Sequence, residues 1–215
     1  MELILIRHGE PVIVETQGEP ADPELSELGR WQAERVSDWL ACEPIDCVIT
    51  SSKARAKQTV VPLVARLGVE PVEIAGLDEI DRRSTVYAPF QVMPERFPDY
   101  WKAIQEQRWN DIGWDSFEDF TQRVVAAWEG ILSQPPGEHV AVACHGGVIG
   151  VLAAHITGVS QRWAFANPPF ASFSRVAISA DGRAPVLSLN EVGHFDATRS
   201  RVVGPNGEGM RESTR

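Results

Sequence analysis

Residues 3–6, Leu-Ile-Leu-Ile, form an unbroken apolar run that stops abruptly at Arg7-His8-Gly9-Glu10. A run this short suits a strand buried on both faces of a parallel sheet. Such strands are joined by helical crossovers, so the chain that follows must supply them. Strands of this kind also deliver functional groups at their carboxyl ends, where ligands collect in the crevice outside the sheet. Arg7 and His8 occupy that place, and Arg offers charge with a planar donor fork suited to phosphate. Gly9 lets the backbone turn sharply or approach a ligand closely.

The expected alternation follows. After a loop over residues 11–23, Ser26 is placed to cap a helix that runs to about Leu40, with Ala33, Val36 and Leu40 on one stripe. Residues 45–50 read as a second strand and 53–67 as a helix, with a break or kink expected at Pro62. Gly68 stops that helix, and 69–75 reads as a third strand. Residues 77–99 carry three prolines and several charges without a period, an excursion expected to wall or cover a site. A helix is expected near 100–107 and another from Ser116, with Phe117, Phe120, Val124, Ala127 and Ile131 as its core stripe and Trp128 packed beside it. Residues 139–143 form a fourth strand ending at Cys144-His145-Gly146-Gly147, followed by a helix over 148–155. Strands over 173–179 and 186–189, joined at Asp181-Gly182, complete the pattern. Residues 1–198 read as a single domain, and the polar, Gly-containing segment 199–215 as a disordered tail.

Three strand ends then carry similar cargo: Arg7-His8-Gly9, Ser51-Ser52-Lys53-Ala54-Arg55 and His145-Gly146-Gly147. In a parallel sheet these ends share one edge, so two His and two Arg converge. The result is a local positive pocket in a chain whose net charge is −10. A phosphoryl group, with negative charge spread over its oxygens, requires such a pocket. The acidic balance argues against a nucleic-acid partner. No apolar stretch reaches the roughly 18 residues a membrane helix needs, and no signal segment precedes the first strand, so a cytoplasmic location is expected. Three cysteines without CxxC spacing fit a reducing compartment. The five histidines show no HxxxH pairing that would mark a metal site, and no GxxxxGK[ST] loop occurs. A Cys144–His145 nucleophile is disfavoured because adjacent strand residues face opposite ways.

These motifs together resemble the histidine phosphatase superfamily, also called phosphoglycerate-mutase-like, in its larger branch. Arg7 to Glu10 is similar to that family's signature. Leu25-Ser26-Glu27-Leu28-Gly29 with Gln32-Ala33 resembles its first helix opening, and the stretch from Ser51 to Thr59 matches SxxxRAxQT. Leu77-Asp78-Glu79 resembles its LxE segment, Ala143 to Gly147 its second histidine motif, and Asn190 to His194 its NxxxH ending. The resemblance implies a three-layer α/β/α fold with a mostly parallel central sheet. It also implies a metal-independent phosphatase that needs no cofactor and acts on a phosphorylated small molecule. His8 would be the nucleophile, its other ring nitrogen fixed by the Gly9 carbonyl. Arg7, Arg55 and His145 would hold the phosphoryl oxygens, with Glu79 as proton donor. Gly9, Glu10, Ser51, Arg82, Arg83 and Gly146 would complete the substrate site.

Two departures stand out. The family often has Asn four residues after the Glu of its signature, whereas Val14 stands here, so one polar contact to phosphate or substrate is lost or moved. Ile80-Asp81-Arg82-Arg83 replaces a Gly-Glu-Gly-like segment, and its two Arg would either bind a second anion or pair with Asp78 and Asp81. Glu10 and Asp78 compete with Glu79 for the acid's role. A phosphoglycerate-type mutase is the alternative activity, and an inactive phosphate-binding protein a third reading. The sequence leaves the oligomeric state open, a homodimer being one option. Substrate choice is assigned to residues 77–99 and the region from Trp163 to Phe173.

Overall fold

The computed structural model describes residues 1–161, 164–165 and 168–195; Trp163 and the expected tail lie outside the described residues. In chain order the elements are β1 (Glu2–Arg7), β2 (Val14–Glu15), α1 (Glu27–Leu40), β3 (Cys47–Thr50), α2 (Ala54–Leu67) and β4 (Val72–Glu73). Next come β5 (Val86–Tyr87), α3 (Met93–Arg96), α4 (Pro98–Gln105), α5 (Phe117–Ser133), β6 (His139–Cys144), α6 (Gly146–Thr157), β7 (Phe173–Ala177) and β8 (Val186–Glu191). Six strands form one sheet in the order β4-β3-β6-β1-β7-β8. β4, β3, β6 and β1 run parallel; β7 lies antiparallel to β1, and β8 antiparallel to β7.

β1 occupies an interior position, and its alternation builds two cores. Leu3 and Leu5 face α5 and α6 with Val140, Val142 and Cys144, while Ile4 and Ile6 face α1 and α2 with Ala141 and Ala143. The other walls are Val36 and Leu40 of the expected stripe with Val60 and Leu63 of α2 on one side, and Phe120, Val124 and Ile131 of the second expected stripe with Trp128 on the other. The result is the three-layer arrangement expected from the sequence. Ser26 and Ser116 cap α1 and α5, each hydroxyl accepting from the backbone N–H three residues on, at 3.0 Å.

Several boundaries differ from expectation. α2 continues through Pro62 as one helix, because Val60 and Leu63 on either side are both buried against the sheet. That burial offsets the roughly 3 kcal/mol a helical proline costs. β4 pairs only over Val72–Glu73, since Pro71 removes a donor just before it. β3 begins at Cys47 rather than Ile45, and α4 is shifted to start at Pro98, a residue well suited to a first helical turn. The loop over 11–23 and the excursion over 77–99 are not structureless. Each contributes a two-residue strand, and β2 and β5 pair into a small ribbon.

Candidate active site

The register of the sheet places the three expected strand ends side by side. Arg7 pairs with Cys144 and Thr50 with Ala143, so His8, Ser51 and His145 each emerge just beyond the same edge. The His8 and His145 ring centroids are 5.0 Å apart. Cys144 turns the other way, into the core beneath α6.

The polar residues of the motifs bind backbone. The Gly9 N–H donates to Thr59 Oγ1 at 2.9 Å, the Glu10 N–H to Gln32 Oε1 at 2.8 Å, and the Leu25 N–H to Gln58 Oε1 at 2.8 Å. Gly9 and Gly29 touch backbone to backbone. A Cβ on Gly29 would lie 2.0 Å from the Glu10 carbonyl oxygen, and one on Gly9 would lie 2.7 Å from the Gly29 carbonyl oxygen. Thus α1 and α2 grip the turn that carries His8.

His8 Nδ1 lies 2.7 Å from the Gly9 carbonyl oxygen. A carbonyl only accepts, so Nδ1 carries the proton and Nε2 keeps its lone pair. Burial, with Arg55 and Arg7 nearby, holds His8 well below the usual imidazole value, against the pull of the Gly9 carbonyl. Burial with Arg55, His8, Arg7 and Lys53 does the same to His145. Both rings are therefore neutral near pH 7, and among the described residues the positive charge of the pocket comes from the Arg7 and Arg55 guanidiniums, with Lys53 nearby. His145 Nε2 meets Ser51 Oγ at 2.7 Å, and the same hydroxyl accepts from the Lys53 N–H at 3.3 Å. His145 Nδ1 has no partner among the described residues, and in the tautomer where Ser51 donates to Nε2 it carries the ring's proton.

Arg7 donates to the Pro168 carbonyl and stacks on Phe170 at 4.0 Å. Arg55 is 1% exposed, meets Asp81 at 3.2 Å and stacks on Tyr87 at 4.6 Å. Burial lowers the Arg55 value, but Asp81, Tyr87, Glu79 and Asp22 outweigh it and hold the guanidinium charged. Arg7 Nε, Arg55 Nε and Nη1, and His145 Nδ1 are buried without a hydrogen-bond partner among the described residues. Buried donors rarely go unpaired. Four in one pocket mark a place built to receive an acceptor-rich group.

Glu79 stands at the N-terminus of α6. Its Oε2 accepts from the Gly147 N–H at 2.8 Å, and its Oε1 accepts from its own neighbour Ile80 at 2.9 Å. Gly146 is the buried first residue of that helix. Burial raises the Glu79 value and Asp81 raises it further, opposed by the Ile80 and Gly147 donors and by Arg55. The two competing carboxylates are engaged elsewhere: Asp78 by the Ser52 N–H and hydroxyl at 2.8 and 2.6 Å, and Glu10 by the Ser26 hydroxyl at 3.0 Å. Arg82 and Arg83 sit on Asp115 at 2.9 and 3.3 Å, rather than on Asp78 or Asp81.

Sequence reasoning missed three participants. Arg123 on α5 donates to the carbonyls of Gly76, Asp78 and Glu79 and to Asp115, at 2.7 to 3.2 Å, and so fixes the backbone that bears Glu79. It lies three residues from Phe120 at the edge of the core stripe, which is the signal that could have found it. Asp115, which holds Arg82, Arg83 and Arg123, is the second. Tyr87 is 8% exposed beside the pocket, and the triplet Thr85-Val86-Tyr87 was the strand signal inside the excursion.

Comparison with known proteins agrees with this geometry. The sequence pattern of the histidine phosphatase superfamily (branch 1) matches residues 3–191. A metal-independent phosphoserine phosphatase of Arabidopsis thaliana is 29% identical over 177 residues, 77% of this chain and 73% of the relative. Phosphoglycerate mutase-like protein 4 of the same plant is 31% identical over 156 residues, 69% of this chain and 67% of that protein. Among solved structures, the alpha-ribazole phosphatase of Shigella flexneri superposes with a TM-score of 0.70 at 21% identity, covering 89% of this chain and 96% of that one. A mycobacterial glucosyl-3-phosphoglycerate phosphatase in complex with VO3 gives 0.68 at 23% identity, covering 89% and 99%. At such identity the structural likeness speaks for the fold, and the sequence match for the family. This chain belongs to branch 1 of the histidine phosphatase superfamily.

Proposed function

We propose that the protein is a metal-independent phosphomonoesterase that works through a phosphohistidine on His8. The convergence of buried, unpartnered donors from Arg7, Arg55 and His145 around a neutral imidazole carries this reading. His8 Nε2 attacks phosphorus in line with the leaving oxygen, and the four donors hold the phosphoryl oxygens through the transition state. Glu79, whose proton burial holds to higher pH than in an ordinary carboxyl, gives that proton to the leaving oxygen as the ester bond breaks. The resulting carboxylate takes a proton from water, which attacks the phosphohistidine and returns His8 and inorganic phosphate. Gly9 fixes the nucleophile's tautomer, Ser51 that of His145, and Gly146 opens the helix toward the pocket. The substrate is a phosphorylated small molecule. Three free cysteines fit a cytoplasmic setting.

Purified protein should release phosphate from an aryl phosphate in the presence of EDTA, and His8→Ala should abolish the release. No EDTA-resistant release, or full activity in His8→Ala, ends the proposal. Interconversion of phosphoglycerates stimulated by a bisphosphate, with only slow release of phosphate, would make the protein a mutase instead.

A further inference from the structure

Position 14 holds a valine where the family resemblance leads one to expect a polar contact to phosphate or substrate. Val14 lies on β2, and its partner in the antiparallel ribbon is Tyr87 on β5. Residues directly opposite in such a pair present their side chains on the same face. That face is the pocket side, because the Tyr87 ring packs under Arg55 at 4.6 Å and meets the His8 ring edge-on at 6.5 Å. The charged neighbour of the phenol is the Arg7 guanidinium, which can only donate, so it takes no proton from the hydroxyl. The phenolic proton is then left over, and no acceptor for it is found among the described residues. Burial pushes the Tyr87 value up to about 12, with Asp81 and Glu79 adding and Arg55 and Arg7 opposing, so the proton stays in place across the working range.

We propose that Tyr87 is a catalytic residue whose phenol donates a hydrogen bond to a nonbridging oxygen of the transferring phosphoryl group. It supplies from β5 the polar contact that Val14 cannot give from β2. The phenol keeps its proton throughout, and no covalent bond to Tyr87 forms. The proposal rests on the phosphoryl-transfer reading above, and it places part of the catalytic constellation on the ribbon rather than on the sheet.

The test compares wild type with Tyr87→Phe, which keeps the ring under Arg55 and removes only the hydroxyl. The melting temperature should be unchanged and kcat on an aryl phosphate should fall on the order of 10²-fold, the usual loss for one donor to a developing anion. Affinity for orthovanadate should fall more than affinity for inorganic phosphate, because the contact tightens toward the transition state. The chain has only two tyrosines, Tyr87 and Tyr100. Isotope-labelled tyrosine in the wild type therefore gives a second reading that needs no variant. The Tyr87 ring resonance should move when orthovanadate is added, while that of Tyr100 stays. Wild-type kcat and vanadate affinity in Tyr87→Phe, or an unmoved Tyr87 resonance at saturating vanadate, overturns the inference. A wild type that binds vanadate with the Tyr87 shift yet hydrolyses no ester defeats the phosphatase reading and leaves the Tyr87 contact standing.

Discussion

At the scale of single residues, the pocket separates the two proton tasks by environment. His8 is pushed down and Glu79 up, which favours a neutral imidazole for the proposed nucleophile and a protonated carboxyl for the proposed acid. Activity requires pH above the lowered His8 value and below the raised Glu79 value. On the proposed roles, the acid limb of the pH profile belongs to His8 and the alkaline limb to Glu79, the latter lying above the usual carboxylate value. A proton donor matters most for a poor leaving group. Glu79→Gln should lose on the order of 10²-fold or more on an alkyl phosphate and much less on an aryl phosphate with an acidic phenol. Running both esters across pH cancels the titration of the substrate itself, and equal losses on both would remove Glu79 from the acid's role. The meeting of His8, Arg7, Arg55 and His145 was legible in the sequence because each sits in a motif tied to a strand end, whereas Glu79 was reached only through the family resemblance. Tyr87, Arg123 and Asp115 were not legible, because their importance comes from what they meet across the fold, and no local spacing encodes that.

At the scale of elements, the acid is held where the 3-10 turn Ala75–Leu77, the N-terminus of α6 and Arg123 of α5 meet. Gly147 makes the meeting possible. A Cβ there would lie 2.3 Å from Glu79 Oε1, the far end of a flexible side chain that can swing away. Gly147→Ala should therefore fold normally and bind phosphate, yet lose about 10- to 100-fold in kcat, since the carboxylate gives up its place and its N–H donor. Gly29→Ala is the contrasting control, because its Cβ meets rigid backbone at the Glu10 carbonyl and should lower the melting temperature. Equal kcat losses at unchanged stability in both variants would refute the distinction. Element type was legible wherever the period was long, as in α1 and α5. It failed where two residues make a strand inside a loop, as in β2 and β5, since a period cannot be read from so short a segment, and at β4 it caught the strand but not its length. Pro62 misled for another reason: burial of Val60 and Leu63 outweighed a local rule.

At the scale of the whole molecule, the layers and the shared strand edge were legible, because alternating apolar runs and crossovers admit few topologies. The way the C-terminal strands close the molecule was less so. Asn190 takes a left-handed φ of 58°, and the β7–β8 pairing carries register shifts. Beyond them His194 stacks on Phe173 at 4.2 Å and on Phe195 at 4.1 Å, near Trp39 of α1. Burial lowers the His194 value from 6.5 to about 4, with the Ala171 backbone and Glu191 opposing. The unfolded chain therefore takes up a proton near pH 6.5 that the folded chain refuses. The stabilisation is complete above pH 6.5 and is lost as pH falls toward about 4. His194→Phe keeps the stack and removes the titration. It should retain about 1–2 kcal/mol of the stability that wild type loses over that window, after discounting for partial contact with water. Parallel acid-unfolding curves for the two proteins would contradict this. His8 and His145 act in the same direction in both proteins and cancel in the comparison.

The interior place of β1 also sets an order of events during synthesis. The strand is made first, but its neighbours β6 and β7 begin at His139 and Phe173. At about 5–20 residues per second, the ribosome needs roughly 7–30 seconds to deliver the first of these partners. Until then Leu3 to Ile6 is an apolar strand with both edges open, the kind of segment that recruits other chains. The proposed nucleophile thus rides on the part of the molecule that waits longest for its neighbours, and a nascent chain halted before β6 carries His8 on a sticky, unpaired strand with no pocket around it.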